Sequence, residues 1–137
     1  IVLCEIFHIS FLFIFKHFSM QIPFMYNIGS VIFYILMLFV VLKGYYRVCI
    51  VLVHLEVSAF VTVTVLNGGY SSDFALYLIS MATFVYFNPF KHRSVTYIFS
   101  ICEVMLYIGL TLHCRHVYSE AEVQIVSVTI YNTVLAV

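Results

Sequence analysis

Polar and charged residues divide the sequence into five apolar runs. The runs cover residues 1–15, 22–42, 45–66, 74–90 and 95–112. A helix needs about 20 apolar residues to cross the hydrocarbon core of a bilayer. Every backbone N–H and C=O must find its partner within the segment there, so even the β-branched run at 45–66 is predicted to be a helix. The pattern therefore predicts an all-α fold of polytopic membrane helices.

The number of transmembrane segments depends on the first and fourth runs. Run 1–15 is short and contains Glu5 and His8, so it is either a marginal span or an interfacial helix. Run 74–90 is 17 residues long and is stopped by Asn88-Pro89, and whether it crosses the membrane stays open. We expect three to five transmembrane segments, with four as the central expectation, in a single membrane domain.

The connecting segments predict how the chain is oriented. Residues 67–73, Asn-Gly-Gly-Tyr-Ser-Ser-Asp, are the strongest turn signal and are predicted to lie at one membrane surface. If the last four runs all cross, four basic residues lie on one side (Lys43, Arg47, Lys91 and Arg93) and two on the other (Lys16 and Arg115). Such an excess marks the cytoplasmic or matrix side. Residues 117–137 are predicted to be a surface or docking tail.

The composition supports this interpretation and excludes other classes of protein. Apolar residues make up 64% of the 137-residue chain and charged residues 9%, against about 45–50% and about 25% in soluble domains. This excludes a soluble domain, a disordered tail and a coiled coil. The net charge is zero and there is no basic patch, so no nucleic-acid partner is expected. The four cysteines show no metal-binding or disulfide spacing.

The beginning of the chain does not have the features of a signal peptide. Residues 1–15 contain no basic residue, and no small-residue cleavage site follows. We expect an N-terminus that is native, clipped or started at a non-standard codon. A non-standard start codon would suit a gene in an organelle genome. The small size and high hydrophobicity of this chain would suit one too.

Two acidic residues fall near the middle of predicted spans and are the principal candidates for chemistry. Glu56 lies in run 45–66 and Glu103 in run 95–112. An acid at mid-bilayer costs about 2.5–3.5 kcal/mol on translocon scales, so it is a functional candidate by default. Burial favours the neutral form of a carboxyl group, which is the resting state of a proton-relay acid. The alternative is a structural hydrogen bond to a neighbouring helix.

The two acids differ in their neighbours along the helix. A polar stripe lies on the Glu103 face at offsets of −7, −3, +4 and +8, namely Thr96, Ser100, Tyr107 and Thr111. We expect this stripe to line a polar pathway and to face protein or water. Glu56 has no polar neighbour on its own helix face. Its partner is therefore expected on another helix, in this chain or in another subunit.

Two histidines inside apolar runs have alternative interpretations. His54 lies two residues before Glu56, roughly 200° around the helix, so the two side chains point apart. His8 and His54 could together ligate a haem, which needs two histidines on facing helices. The alternative is that each is a hydrogen-bonded core histidine. No metal-binding or nucleophile motif is present in the sequence.

The order of these features resembles subunit 4L of respiratory complex I, the K subunit of the bacterial enzyme. The resemblance extends over about residues 31–116 and rests on four short segments. They are Lys43-Gly44-Tyr45-Tyr46-Arg47, Val53-His54-Leu55-Glu56, Ile101-Cys102-Glu103 and Ile108-Gly109-Leu110-Thr111-Leu112. The family has three spans and a closer spacing between its third-helix glutamate and the following glycine.

The resemblance implies a membrane-arm subunit of the mitochondrial NADH:ubiquinone oxidoreductase. Glu56 and Glu103 would be proton-relay carboxyls in the inner membrane. The chain would have no cofactor of its own, would catalyse nothing alone, and would pack against other membrane subunits and lipids. The alternative is a non-catalytic anchor or assembly subunit of another respiratory complex, with or without haem.

Overall fold

The computed structural model describes residues 1–68, 73–87, 90 and 92–114. Every regular element among them is a helix, and there is no strand in this part of the chain. The elements are α1 (Val2–His17), α2 (Gln21–Leu42), α3 (Tyr46–Gly68), α4 (Leu76–Phe84) with a 3-10 turn at Val85–Phe87, and α5 (Arg93–Cys114). The predicted all-α fold is confirmed.

Three of the helices are long and apolar enough to cross a membrane. They are Gln21–Leu42, Tyr46–Asn67 and Arg93–Cys114, each 22 residues long. The helical segment Leu76–Phe87 is shorter, and α1 has 16 residues. The predicted tail at 117–137 lies outside the described residues. The protein is therefore a multi-pass membrane protein.

The exterior of the helices is apolar, and the interior combines an apolar core with several polar residues. Large apolar side chains such as Ile32, Phe39, Ile101 and Met105 are exposed around the outside of the helices. The polar residues of the interior include His8, Asn27, Ser30, His54, Thr64, Thr96 and Glu103. Lipid solvates the apolar exterior, whereas polar groups are stabilised only where other helices supply hydrogen bonds.

An aromatic cluster joins α1, α3 and the start of α4. The ring of Phe11 lies 5.6 Å from that of Phe60 and 5.3 Å from that of Phe74, measured between centroids. Phe15 completes the group, with its centroid 5.7 Å from that of Phe74. α1 packs along α2, and through these rings its side chains also reach the central helix α3, where His8 lies next to Glu56.

The connection from α2 to α3 is a tight helix ending at Gly44. The N–H of Gly44 donates to the carbonyl of Val41 (2.8 Å), and the N–H of Tyr45 donates to the carbonyl of Val40 (3.2 Å). Gly44 has a left-handed backbone with φ of 85°. This is the Schellman pattern, which favours glycine because a Cβ is strained in that conformation.

Replacing Gly44 with alanine should lower the free energy of unfolding by about 1 kcal/mol, the strain of a left-handed L-residue. No atom lies within 4 Å of the added Cβ, so the backbone alone causes the loss.

Ser19, two residues after the end of α1, also has a left-handed backbone, with φ of 56°. Ser19→Gly should therefore raise the free energy of unfolding. Thermal unfolding in detergent measures both. Gly109→Ala, also in open space but within α5, is the control, and an equal loss there would contradict the explanation.

The segment α4 returns the chain across the bundle, so that α5 runs parallel to α3. Phe74, just before α4, shares a core cluster with Val65 near the end of α3 and with Cys114 at the end of α5. Phe84, at the end of α4, lines a cavity together with Tyr46 at the start of α3. The start of α5 and the start of α3 therefore lie at the same end of the bundle.

This path bears on the charge distribution predicted from the sequence. Because α3 and α5 both begin at one end, Lys43, Arg47 and Arg93 lie there, and Lys16 lies at the opposite end. Lys91 and Arg115 are outside the described residues. Within the described part of the chain, the arrangement matches the predicted basic bias.

Candidate functional site

The two candidate acids lie at the same level of the bundle. Glu56 is the eleventh residue of the 22-residue span Tyr46–Asn67, and Glu103 is the eleventh residue of Arg93–Cys114. His54, whose Nδ1 lies 2.6 Å from Glu103 Oε1, is on α3 only two residues from Glu56, which is about 3 Å along the helix axis. Both carboxyl groups are therefore at mid-span, where water is scarcest.

Glu56 is held by two hydroxyl groups of α2. Ser30 Oγ donates to Glu56 Oε1 at 2.5 Å, and Tyr34 OH donates to Oε2 at 2.8 Å. His8 of α1 approaches the same carboxylate, with Nε2 3.8 Å from Oε2. The side chain of Glu56 is 8% exposed. Each of these partners comes from another helix of this chain, so the pair of hydroxyls replaces water around the carboxylate.

Hydrogen bonds to Asn27 fix the orientation and tautomer of His8. Asn27 Nδ2 donates to the backbone carbonyl of His8 at 2.6 Å, so its Oδ1 is the atom that faces His8 Nδ1 at 2.5 Å. An amide oxygen only accepts hydrogen bonds, so Nδ1 carries a proton. In neutral His8 the remaining nitrogen, Nε2, is then an acceptor, and it is the nitrogen that faces Glu56. The ring is stacked on Tyr34, with 4.8 Å between centroids.

Glu103 and His54 form a second pair on the other side of α3. His54 Nδ1 lies 2.6 Å from Glu103 Oε1, and both side chains are 2% exposed. At this distance the two atoms are joined by a short hydrogen bond. The second carboxyl oxygen of Glu103, Oε2, is buried and has no hydrogen-bond partner among the described residues. Phe99 packs beside the imidazole, 5.2 Å between centroids.

The polar stripe that was predicted around Glu103 is only partly in the interior. Thr96 is buried, whereas Ser100, Tyr107 and Thr111 are half-buried. The hydroxyl of Thr111 donates to the backbone carbonyl of Tyr107 at 2.8 Å. None of the four donates to Oε2 of Glu103. The role of the stripe as a pathway lining stays a prediction.

The two histidines that were considered as haem ligands belong to separate clusters. His8 is bonded to Asn27 and faces Glu56, whereas His54 is bonded to Glu103. In the described part of the chain, no group of three or more His, Cys, Asp or Glu side chains could hold a metal ion. The geometry thus assigns both histidines to carboxyl groups.

Three residues of the site had not been identified from the sequence, namely Asn27, Ser30 and Tyr34. Their spacing of three and four residues places them on one helix face, which is the buried face of α2. A polar stripe at this spacing in an otherwise apolar span is the signal that would have found them. The sequence also gave no indication that each histidine pairs with a different acid.

Comparison of the chain with protein-family models, with curated proteins and with solved structures finds no match.

Proposed function

We propose that this chain is a small membrane-arm subunit of the mitochondrial NADH:ubiquinone oxidoreductase and that it supplies buried carboxyl groups for proton translocation. The observation that carries the proposal is that two mid-span acids each face an imidazole of another helix, His8 facing Glu56 and His54 facing Glu103. The proposed partners are the other membrane subunits of the complex and the surrounding lipids. The chain alone catalyses no reaction.

The Glu103–His54 pair has the chemistry of a proton-transfer step. A proton moves between Oε1 and Nδ1 over 2.6 Å, a distance within hydrogen-bond reach for general acid–base transfer. Oε2, which has no hydrogen-bond partner among the described residues, gives the carboxyl group a second oxygen that can take or release a proton. A purely structural tie would be expected to satisfy both oxygens, because an unpaired buried acceptor costs about 1–3 kcal/mol.

The Glu56–His8 pair supports the proposal through its tautomer. Because Nδ1 of His8 donates to Asn27, Nε2 is free to accept a proton from Glu56. The 3.8 Å between Nε2 and Oε2 is longer than a hydrogen bond. Transfer therefore needs a small rotation of the carboxyl group or one bridging water molecule. The hydroxyls of Ser30 and Tyr34 stabilise the carboxylate that remains.

The respiratory complex is proposed from the residue pattern, and the chain differs from that family in its topology. The family has three spans, with a second and a third helix that are antiparallel neighbours. Here α4 brings the chain back, so that α5 is parallel to α3. Proton transfer through buried acids does not depend on this order, because the pairs meet at one level of the bundle.

The double variant Glu56→Gln and Glu103→Gln tests the proposal in membranes that contain the complete complex. Glutamine keeps the shape and can still accept a hydrogen bond but cannot titrate. We expect assembly to survive while NADH-driven proton uptake into inverted vesicles falls to a small fraction of the wild-type rate. Ubiquinone reduction with an uncoupler present is measured in parallel, since it reports intact electron transfer.

Two outcomes would contradict the proposal. Normal proton uptake in the double glutamine variant would exclude a relay role and favour an anchor or assembly subunit. Absence of the chain from the purified complex would exclude this complex as its location. Ser58→Ala is a matched control, because Ser58 lies on α3 but is not one of the partners of either acid.

A further inference from the structure

A cleft beside Gly29 leads from the outer face of α2 to Glu56. Its volume is about 380 Å³, and it is lined by Met25, Tyr26, Gly29, Ser30, Phe33 and Glu56. Gly29 is exposed, and a Cβ built there meets no atom within 4 Å. The missing side chain thus leaves a notch in the surface of α2. Three of the lining residues, Tyr26, Ser30 and Glu56, carry polar side-chain groups, and the others are apolar or lack a side chain.

The two acids differ in their access to this surface. Glu56 lines the cleft, and its side chain is 8% exposed. Glu103 lines none of the described cavities, and its side chain is 2% exposed. The volume of the cleft accommodates several water molecules, since a water takes about 30 Å³ in the liquid. A water molecule there has the carboxylate and the Ser30 hydroxyl as polar partners.

We propose that the Gly29 cleft is the route by which small membrane-soluble molecules from the lipid around the bundle reach Glu56, whereas Glu103, which lines none of the described cavities, is closed to them. Glu56 is then the acid that is open to reagents dissolved in the membrane, and Glu103 is reached only through His54, which lines the cavity of Tyr46 and Phe84. This inference rests on the proposed function for its physiological meaning. The cleft itself, and access through it, do not depend on that function.

A membrane-soluble carbodiimide, dicyclohexylcarbodiimide, tests access directly. A protonated carboxyl group adds to its central carbon, the proton goes to a carbodiimide nitrogen, and the acyl group then migrates to nitrogen with no leaving group. Mass spectrometry of the full chain in lipid vesicles locates the adduct. We expect Glu56 to be labelled and Glu103 to remain unlabelled, and Glu56→Gln should remove the label from the peptide that contains it.

Gly29→Leu should fill the notch and abolish most of the labelling at Glu56, and Gly29→Ala should reduce it less. Gly109→Leu is the matched control, because Gly109 is also an exposed helical glycine with open space around its Cβ but lies on α5. It should label like the wild type. Thermal unfolding of both leucine variants in detergent verifies that they fold.

The outcomes separate this inference from the relay. No adduct on Glu56, labelling that Gly29→Leu leaves unchanged in a folded protein, or equal labelling of Glu103 would each overturn the cleft as an access route. If Gly29→Leu protects Glu56 but the double glutamine variant pumps protons normally, the access route stands and the relay fails. If pumping falls in the glutamine variant while Glu56 never reacts, the relay stands and the route is wrong.

Discussion

His54→Leu should be among the most destabilising single substitutions in this protein. It removes the imidazole that lies 2.6 Å from Glu103 Oε1. The carboxyl group of Glu103 is 2% exposed, and Oε1 then loses this hydrogen bond while Oε2 has none among the described residues. Removing one member of a buried pair costs about 3–5 kcal/mol. We expect a loss toward the lower end, because an unfolded chain in a membrane also finds hydrogen-bond partners. Thermal unfolding in detergent micelles measures it.

The double variant His54→Leu with Glu103→Leu should recover most of that loss. Both polar groups are then absent, and apolar side chains of similar size fill the space between α3 and α5. The interaction energy follows from the double-mutant cycle with Glu103→Leu alone. His113→Leu is the control, since His113 is exposed in the last turn of α5. Additive losses in the cycle would show that the two side chains do not stabilise each other.

The ends of the helices show what hydropathy measures. The predicted run at 22–42 matches α2 (Gln21–Leu42) to one residue, because polar residues flank it closely. Run 95–112 corresponds to α5 (Arg93–Cys114), which continues two residues further at each end. Polar residues such as Arg93 and His113 end an apolar run but not a helix, since their heads reach the membrane surface from the last turn.

The fourth run shows the opposite error. Residues 74–90 are mostly apolar, but the α-helix covers only Leu76–Phe84, followed by the 3-10 turn Val85–Phe87. Apolar composition alone does not specify where a helix stops. The crossing of this segment follows instead from contacts at its two ends, which no local pattern contains.

The two acids of the site could be predicted from the sequence, but the residues that pair with them could not. Glu56 and Glu103 were identifiable because a carboxyl at mid-span is costly wherever it faces. Which groups reach them depends on the rotation of each helix about its axis and on the order of packing. The pairing of His54 with Glu103 spans 49 residues of sequence and requires α5 to pack against α3 with the Glu103 side facing it.

The second large effect is expected at Glu56, where the choice of substitution matters. Leucine would remove the acceptor for Ser30 Oγ and Tyr34 OH and the carboxyl group that faces His8. An unsatisfied buried polar group costs about 1–3 kcal/mol, so Glu56→Leu should destabilise the protein by several such increments. Thermal unfolding in detergent is the measurement, and Leu55→Ala, at an exposed neighbouring position, is the control.

Glu56→Gln should be far milder, because its amide oxygen still accepts one of the two hydroxyl hydrogen bonds. Its NH₂ group faces the other hydroxyl, which rotates to become an acceptor. The difference between leucine and glutamine therefore measures how much the two hydroxyls need an acceptor at this position. If the two variants unfold at the same temperature, the hydroxyls do not depend on Glu56, and the cluster around α2 does not stabilise the bundle. A glutamine variant that is as stable as the wild type also makes any loss of proton transfer attributable to titration alone.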